Sequence, residues 1–359
     1  MEYNLGIEQG RVAKKNPLPK VIGGIVFIGI FAAGLLFFFH GKDSFFDVRF
    51  SAHTLLPVSV EVQDAVSAVV LDVEEPVVPK PVLPKMNEPL NLPENVTAQA
   101  IMVKDLNTGA LLYGKDEYEV RPMASITKLM TALILLEHGL DWEQELVVTS
   151  ASVIDNHMYA GDTYTTKELW HAMLVASSNK AAYTLAESTG WGVDAFVSRM
   201  NDRAVELGLG YTRFADPTGL DSANVSTAAD ISLLLDEVLR FDEIRTGLQV
   251  RQVSLYSTEK ASAHTAWNTN WLLLGWIPHD ITTFIAGKTG YITESGYNFT
   301  MRVGNDRGNM VHVVVLGSES HEARFTDARD VVNAVFRAYS WPEKKEGNGL
   351  ELAGTTDLQ

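Results

Sequence analysis

Residues 121–139 read RPMASITKLMTALILLEHG, and this stretch decides the fold. From Ile126 to Glu137 it is apolar almost all round and stops at Gly139, the pattern of a helix buried on every side. A core must be built around it. Ser125 and Lys128 stand three apart at its start, so both side chains fall on one face, with the serine at the positive end of the helix dipole. A serine hydroxyl is a poor nucleophile until a base takes its proton. A lysine can be that base only where burial or a nearby cation lowers its pKa, and a buried helix supplies the first condition. A capping serine followed by a lysine snorkelling to water has the same spacing, and Ser257 with Lys260 repeats it.

Upstream, AQAIMVKD from Ala98 and ALLYG from Ala110 flank Leu106, Asn107, Thr108 and Gly109, which predicts a hairpin. Downstream, Thr165 with Glu168 predicts a capping box before ELWHAMLVA, and Val193, Phe196, Val197, Met200 and Ala204 trace one helical stripe. A second box, Thr227 with Asp230, opens a helix through about Arg240. Strand patterns return over 249–256, 283–288, 297–303 and 311–316, before a closing helix from about Glu322 to Tyr339. Two early strands alone are marginal, so strands from both ends of this region are expected to share a sheet. The fold class is α/β in the α+β sense, an antiparallel sheet flanked by helices.

Two further groups carry candidate chemistry. Ser177, Ser178 and Asn179 fall between two helical stretches, where a break can aim a hydroxyl and an amide into a cleft; Ser222, Ala223 and Asn224 offer the same pattern in a loop. Lys288, Thr289 and Gly290 end a predicted strand and form the only Lys-Thr-Gly in the chain. As a strand end with a turn glycine the triplet would be structural.

In the order Ser125/Lys128, Ser177/Asn179, Lys288/Thr289/Gly290, these residues resemble the three motifs of penicillin-binding proteins and serine β-lactamases. The pair at Ser257 has no Ser-X-Asn between it and Lys288 and is set aside. RPMASITKLMTALI, AGDTYTTKELWHAMLVASSNKAA, DPTGL from Asp216, HTAWNTNWLLL and GKTGYITESGYNF make the resemblance closer to the low-molecular-weight D-alanyl-D-alanine carboxypeptidases, over about Ala98 to Trp341. The resemblance implies that Ser125 forms an acyl-enzyme with the penultimate D-alanine and that Lys128 accepts its proton. It implies that Ser177 relays a proton to the leaving amine and that Asn179 positions substrate and Lys128. Lys288 would depress the pKa of Lys128 and, with Thr289, hold the terminal carboxylate. Gly290 would admit the substrate backbone, the N–H groups of Ser125 and Tyr291 would form the oxyanion hole, and Arg324 is a further candidate for carboxylate binding, the alternative being a surface arginine at a helix start. The implied partners are a peptidoglycan stem peptide ending in D-Ala-D-Ala and β-lactam antibiotics as covalent inhibitors, with no cofactor.

An endopeptidase acting on cross-linked peptides shares every motif, and a silent penicillin-binding module would keep the fold. A class A β-lactamase needs a glutamate between the second and third motifs, and none occurs between Glu206 and Glu237. The nine histidines form no metal-ligand spacing such as His-Glu-X-X-His, and His157, His171 and His264 read as interface or core-edge residues. No Gly-X-Ser-X-Gly elbow exists. The 359 residues contain no cysteine, and a net charge of -16 argues against nucleic acid as a partner.

The N-terminus bears on compartment. VIGGIVFIGIFAAGLLFFF, from Val21 to Phe39, has no charge and would span about 28 Å as a helix. Arg11, Lys14, Lys15 and Lys20 precede it, which places residues 1–20 in the cytoplasm and the remainder outside. Bulky residues at 37–40 disfavour cleavage, so an uncleaved, single-pass signal anchor in a bacterial cytoplasmic membrane is expected. Residues 40–95, with six prolines from Pro76 to Pro93, read as an extended linker; 96–341 form the catalytic domain, and 342–359 a disordered tail. Family members often add a C-terminal β-rich domain and anchor. Here the chain from Lys288 to Trp341 suffices only to finish the sheet and one helix, so the N-terminal segment is expected to anchor instead.

Overall fold

The structure, a computed structural model, describes residues 81–149 and 152–342. The expected anchor at 21–39, the strand-like stretch at 58–70 and the tail from 343 lie outside the described residues. Lys85–Met86 (β1) precedes the hairpin of Ala100–Asp105 (β2) and Leu111–Lys115 (β3). Arg121–Pro122 (β4) then leads through a 3-10 turn, Ala124–Thr127, into Lys128–His138 (α1). The helical middle comprises Thr166–Val175 (α2), Asn179–Ser188 (α3), Val193–Glu206 (α4), Ala228–Val238 (α5) and Asp242–Gln249 (α6). Short strands Glu145–Val147 (β5), Thr163–Thr165 (β6) and Val225–Ser226 (β7) brace it. Gln252–Ser257 (β8) and Ser262–Trp267 (β9) form a separate hairpin, followed by Trp271–Leu274 (α7). Thr283–Ile292 (β10), Gly296–Gly304 (β11), Met310–Ser318 (β12), Ala323–Ala338 (α8) and Tyr339–Ser340 (β13) complete the described chain.

The main sheet has the order β10-β11-β12-β2-β3, antiparallel throughout, so early and late strands do share it. Alternation along the strands splits the core in two. Ile101, Val103, Phe299, Met301, Val311, Val313 and Val315 face α8 through Phe325, Val331, Val332 and Val335. Met102, Val314 and Leu316 face the other way, onto α1, α2, α3, α4 and α5. Eight residues of α1, from Lys128 to Leu135, are buried, as a helix apolar all round requires.

Several expectations need correction. The linker ends earlier than residue 95, because β1 pairs with β13, Asn87 N–H donates to the Ala338 carbonyl at 2.8 Å, and Leu90 and Leu92 pack on the α8 core. Prolines forbid ladder bonds only at their own positions, and the leucines between them gain enough burial to dock. Only half of the second capping box forms. Thr227 Oγ1 accepts from Asp230 N–H, but the Asp230 carboxylate accepts from Tyr211 N–H and Thr212 Oγ1 instead of reaching back. The Lys-Thr-Gly triplet lies inside β10, which continues to Ile292, so Gly290 is no turn glycine.

Candidate active site

The serine sits on a strained turn. Ala124 has φ +50°, outside the comfortable range for a residue with a Cβ, and the 3-10 turn then delivers Ser125 to the mouth of α1. Two glycines clasp this turn. A Cβ on Gly219 would lie 2.1 Å from the Ala124 carbonyl oxygen, and one on Gly290 would lie 2.7 Å from the Met123 carbonyl oxygen and 3.2 Å from the Ser125 nitrogen. Gly290 was expected to admit substrate; the structure supplies an intramolecular reason, since β10 presses against the turn that carries the serine.

Lys128 is fully buried, and its Nζ has three partners: Ser125 Oγ at 2.8 Å, Asn179 Oδ1 at 2.7 Å and the Thr218 carbonyl at 2.5 Å. Two of these oxygens only accept; the third is a hydroxyl that can donate. As an ammonium Lys128 donates to all three; once neutral, with two N–H bonds and one lone pair, it can keep Asn179 and Thr218 and accept from the Ser125 hydroxyl. Burial pulls the Lys128 pKa down to about 7, while the Asp216 and Asp155 carboxylates keep it from falling further. The cause differs from the expected repulsion by Lys288. Lys288 is itself pushed well below the usual lysine range, by burial first and then by Lys128 and Arg324.

The second wall is the α2–α3 junction. Ser177 has φ +59°, and its Oγ accepts from Lys288 Nζ at 2.8 Å. Asp155 holds this junction. Its Oδ2 accepts from Ser178 Oγ at 2.6 Å and Lys180 N–H at 3.0 Å, while Asn179 Nδ2 donates to the Ile154 carbonyl at 2.8 Å. Ser178 also caps α3 through Ala181 N–H. The third wall is β10, the sheet's edge strand, with Lys288 and Thr289 buried and Tyr291 48% exposed beyond them. The side-chain hydrogen bonds of Lys128 and Lys288 to Ser125, Asn179 and Ser177 are all to neutral groups, so none of these bonds ties either amine to a carboxylate.

Arg324 is 4% exposed, which excludes the surface-arginine alternative. Its guanidinium donates to the Gly290 carbonyl at 3.3 Å and packs on the Tyr297 and Phe325 rings, so it meets the site through the β10 backbone. The rival motifs are structural. Ser257 Oγ donates to Asp162 Oδ1 and accepts from Lys260 N–H, closing the β8–β9 turn, while Lys260 Nζ rests over the Tyr159 ring. Asn224 Oδ1 accepts from Ala215 N–H, and its Nδ2 donates to Asp216 Oδ2. His157 and His264, both half-buried, stack at 6.0 Å.

Asp216 went unassigned from sequence. One carboxylate accepts from the N–H groups of Thr218, Gly219 and Asp221 and from the Thr218 hydroxyl, and so shapes the loop that presents the Thr218 carbonyl to Lys128 and Gly219 to Ala124. The Asp-Pro-Thr-Gly run is a turn signal that could have pointed to it. Asp155 lies in no local pattern that marks it, and Thr269 lies within HTAWNTNWLLL, a stretch that carries the resemblance but assigns it no role.

An antiparallel sheet with a buried Ser-X-X-Lys helix, a Ser-X-Asn turn and a Lys-Thr-Gly edge strand defines a serine acyl-transfer enzyme of the penicillin-binding type. The chain belongs to the D-alanyl-D-alanine carboxypeptidase family of serine peptidases, peptidase S11, whose model matches residues 86–320. It is 30% identical over 250 residues to a D-alanyl-D-alanine endopeptidase of Pseudomonas aeruginosa, covering 68% of this chain and 78% of that one. It is 29% identical over 249 residues to a D-alanyl-D-alanine carboxypeptidase of a Streptomyces species, covering 64% and 84%. Among solved structures it is similar to penicillin-binding protein D2 of Listeria monocytogenes in the cefotaxime-bound form, with TM-score 0.59, 29% identity, and coverage of 69% of this chain and 100% of that one.

Proposed function

We propose that the enzyme is a D,D-carboxypeptidase that removes the terminal D-alanine of peptidoglycan stem peptides through an acyl-enzyme on Ser125. The observation that carries this is the fully buried Lys128 amine 2.8 Å from Ser125 Oγ, its pKa pulled down by burial to about 7, which suits it to take the Ser125 proton. Ser125 Oγ attacks the carbonyl of the penultimate D-alanine as its proton passes to Lys128. The oxyanion lies between the N–H groups of Ser125 and Tyr291. Ser177, bonded to Lys288, returns a proton to the departing amine, and the terminal D-alanine leaves with its carboxylate held by Lys288 and Thr289. Asn179 orients both Lys128 and the substrate amide. Water then hydrolyses the ester. β-Lactams acylate the same serine. Arg324 acts behind the strand, holding Gly290 and adding positive potential.

A second reading is a D,D-endopeptidase, favoured by the name of the Pseudomonas relative. It cleaves the amide of the same D-alanyl carbonyl with a larger leaving group. Incubation with a D-Ala-D-Ala peptide and, separately, with a cross-linked peptide dimer decides. Release of free D-alanine supports the carboxypeptidase; splitting of the dimer without free D-alanine replaces it with the endopeptidase. The proposed location is the outer face of a bacterial cytoplasmic membrane, anchored by residues 21–39. Extraction by carbonate rather than by detergent would contradict it.

A further inference from the structure

Thr269 lies in the segment between β9 and α7, and buried neighbours hold it on both sides. Asn268 Nδ2 donates to the carbonyls of Leu248 at 3.1 Å and Val250 at 2.8 Å, and its Oδ1 accepts from Asn270 N–H at 2.9 Å. Asn270 Oδ1 caps α7 through the N–H groups of Leu272 and Leu273. Thr269 N–H donates to the carbonyl of Val175, the last residue of α2 before the Ser177 turn, at 3.0 Å. Its hydroxyl lies 2.6 Å from that of Thr289. One residue therefore ties the second wall of the cleft to the third.

The hydroxyl pair has a direction to choose. Each oxygen carries one proton, and among the described residues neither has another side-chain partner. If Thr289 donated to Thr269, it would face an incoming carboxylate with lone pairs alone. If Thr269 donates, the Thr289 proton is free for that carboxylate, and the accepted bond polarises it further. Lys288 beside it is a further donor, but it sets no direction on the Thr289 hydroxyl.

We infer that Thr269 is a positioning residue for terminal-carboxylate recognition, donating to Thr289 Oγ1 so that Thr289 donates to the substrate. This rests on the proposed reading of Lys288 and Thr289 as the carboxylate subsite. The geometry makes the enzyme's preference for a free C-terminal carboxylate depend on a residue outside all three motifs.

The test uses the full chain with two peptides of the same sequence, one ending in D-Ala-D-Ala and the other in D-Ala-D-alaninamide. The ratio of their kcat/KM values in one preparation is independent of the fraction folded. Thr269→Val keeps the shape and the backbone bond to Val175 but loses the donor. The wild type should prefer the acid, and the variant's preference should fall about tenfold, through KM for the acid rather than kcat. Thr269→Ser should restore the ratio to within about twofold of wild type. A valine variant that slows both peptides equally, leaving the ratio unchanged, would show a structural role and overturn the inference. A wild type indifferent to the carboxylate would instead overturn the subsite reading, and the inference with it.

Discussion

Replacing Lys128 by methionine separates the catalytic and energetic consequences of burying an amine. In the native state its pKa is about 7 against an ordinary 10.5, a difference of about 5 kcal/mol at ~1.36 kcal/mol per unit. The folded value is the lower one. The native state therefore bears the full cost below about pH 7 and regains stability as pH rises toward the unfolded value. Between about pH 6 and about pH 9 this linkage amounts to about 2–3 kcal/mol. Methionine is unbranched and of similar reach but cannot titrate. Its loss of hydrogen bonds to Asn179 and Thr218 costs the same at every pH, so it sets an offset and not a slope. We predict that the stability of Lys128→Met relative to wild type is greater by about 2–3 kcal/mol at the acid end of that range, measured by urea unfolding. Acylation by a fluorescent penicillin should fall by about 10²–10⁴. A stability difference flat with pH would mean that Lys128 does not titrate there, and acylation within about tenfold of wild type would remove it as the base.

Three other predictions follow from the same geometry. The kcat/KM for peptide hydrolysis should rise with pH through about 7 as Lys128 loses its proton, and Asp216→Asn, which removes a charge holding that pKa up, should move the limb to lower pH; a move to higher pH contradicts the assignment. Gly219→Ala puts a Cβ 2.1 Å from the Ala124 carbonyl oxygen, whereas Gly109→Ala meets nothing within 4 Å. Both pay about 1–2 kcal/mol for positive φ, but only the first should also lose most of its acylation rate, read by penicillin labelling of the folded fraction. A chain begun at Val96 rather than Val82 loses β1 and the packing of Leu90 and Leu92, and its Tm should fall by about 5 °C in calorimetry; an unchanged Tm would return those residues to the linker.

Local chemistry wrote much of the fold legibly. The β2–β3 hairpin, the Thr165 capping box and the all-apolar α1 each follow from neighbours within a few positions. β9 and α6 were missed for the same reason in reverse. Phe241 precedes α6 without a side-chain cap, and β9 exists because β8 pairs with it. The linker was misjudged where prolines masked two docking leucines. At the site, the motif order carried Ser125, Lys128, Ser177, Asn179 and Lys288, whose mutual distances the fold brings within hydrogen-bond reach. The contacts of Asp155 and Thr269 were illegible, even though Thr269 sits in the quoted HTAWNTNWLLL, because they act on residues about twenty positions away, Asn179's neighbours and Thr289.

Acylation of Ser125 is read directly by intact-mass spectrometry of the full chain incubated with ampicillin. One covalent adduct is expected, mapped to the peptide containing Ser125 and absent from Ser125→Ala. An adduct that survives the substitution, or none on folded wild-type protein, would contradict it.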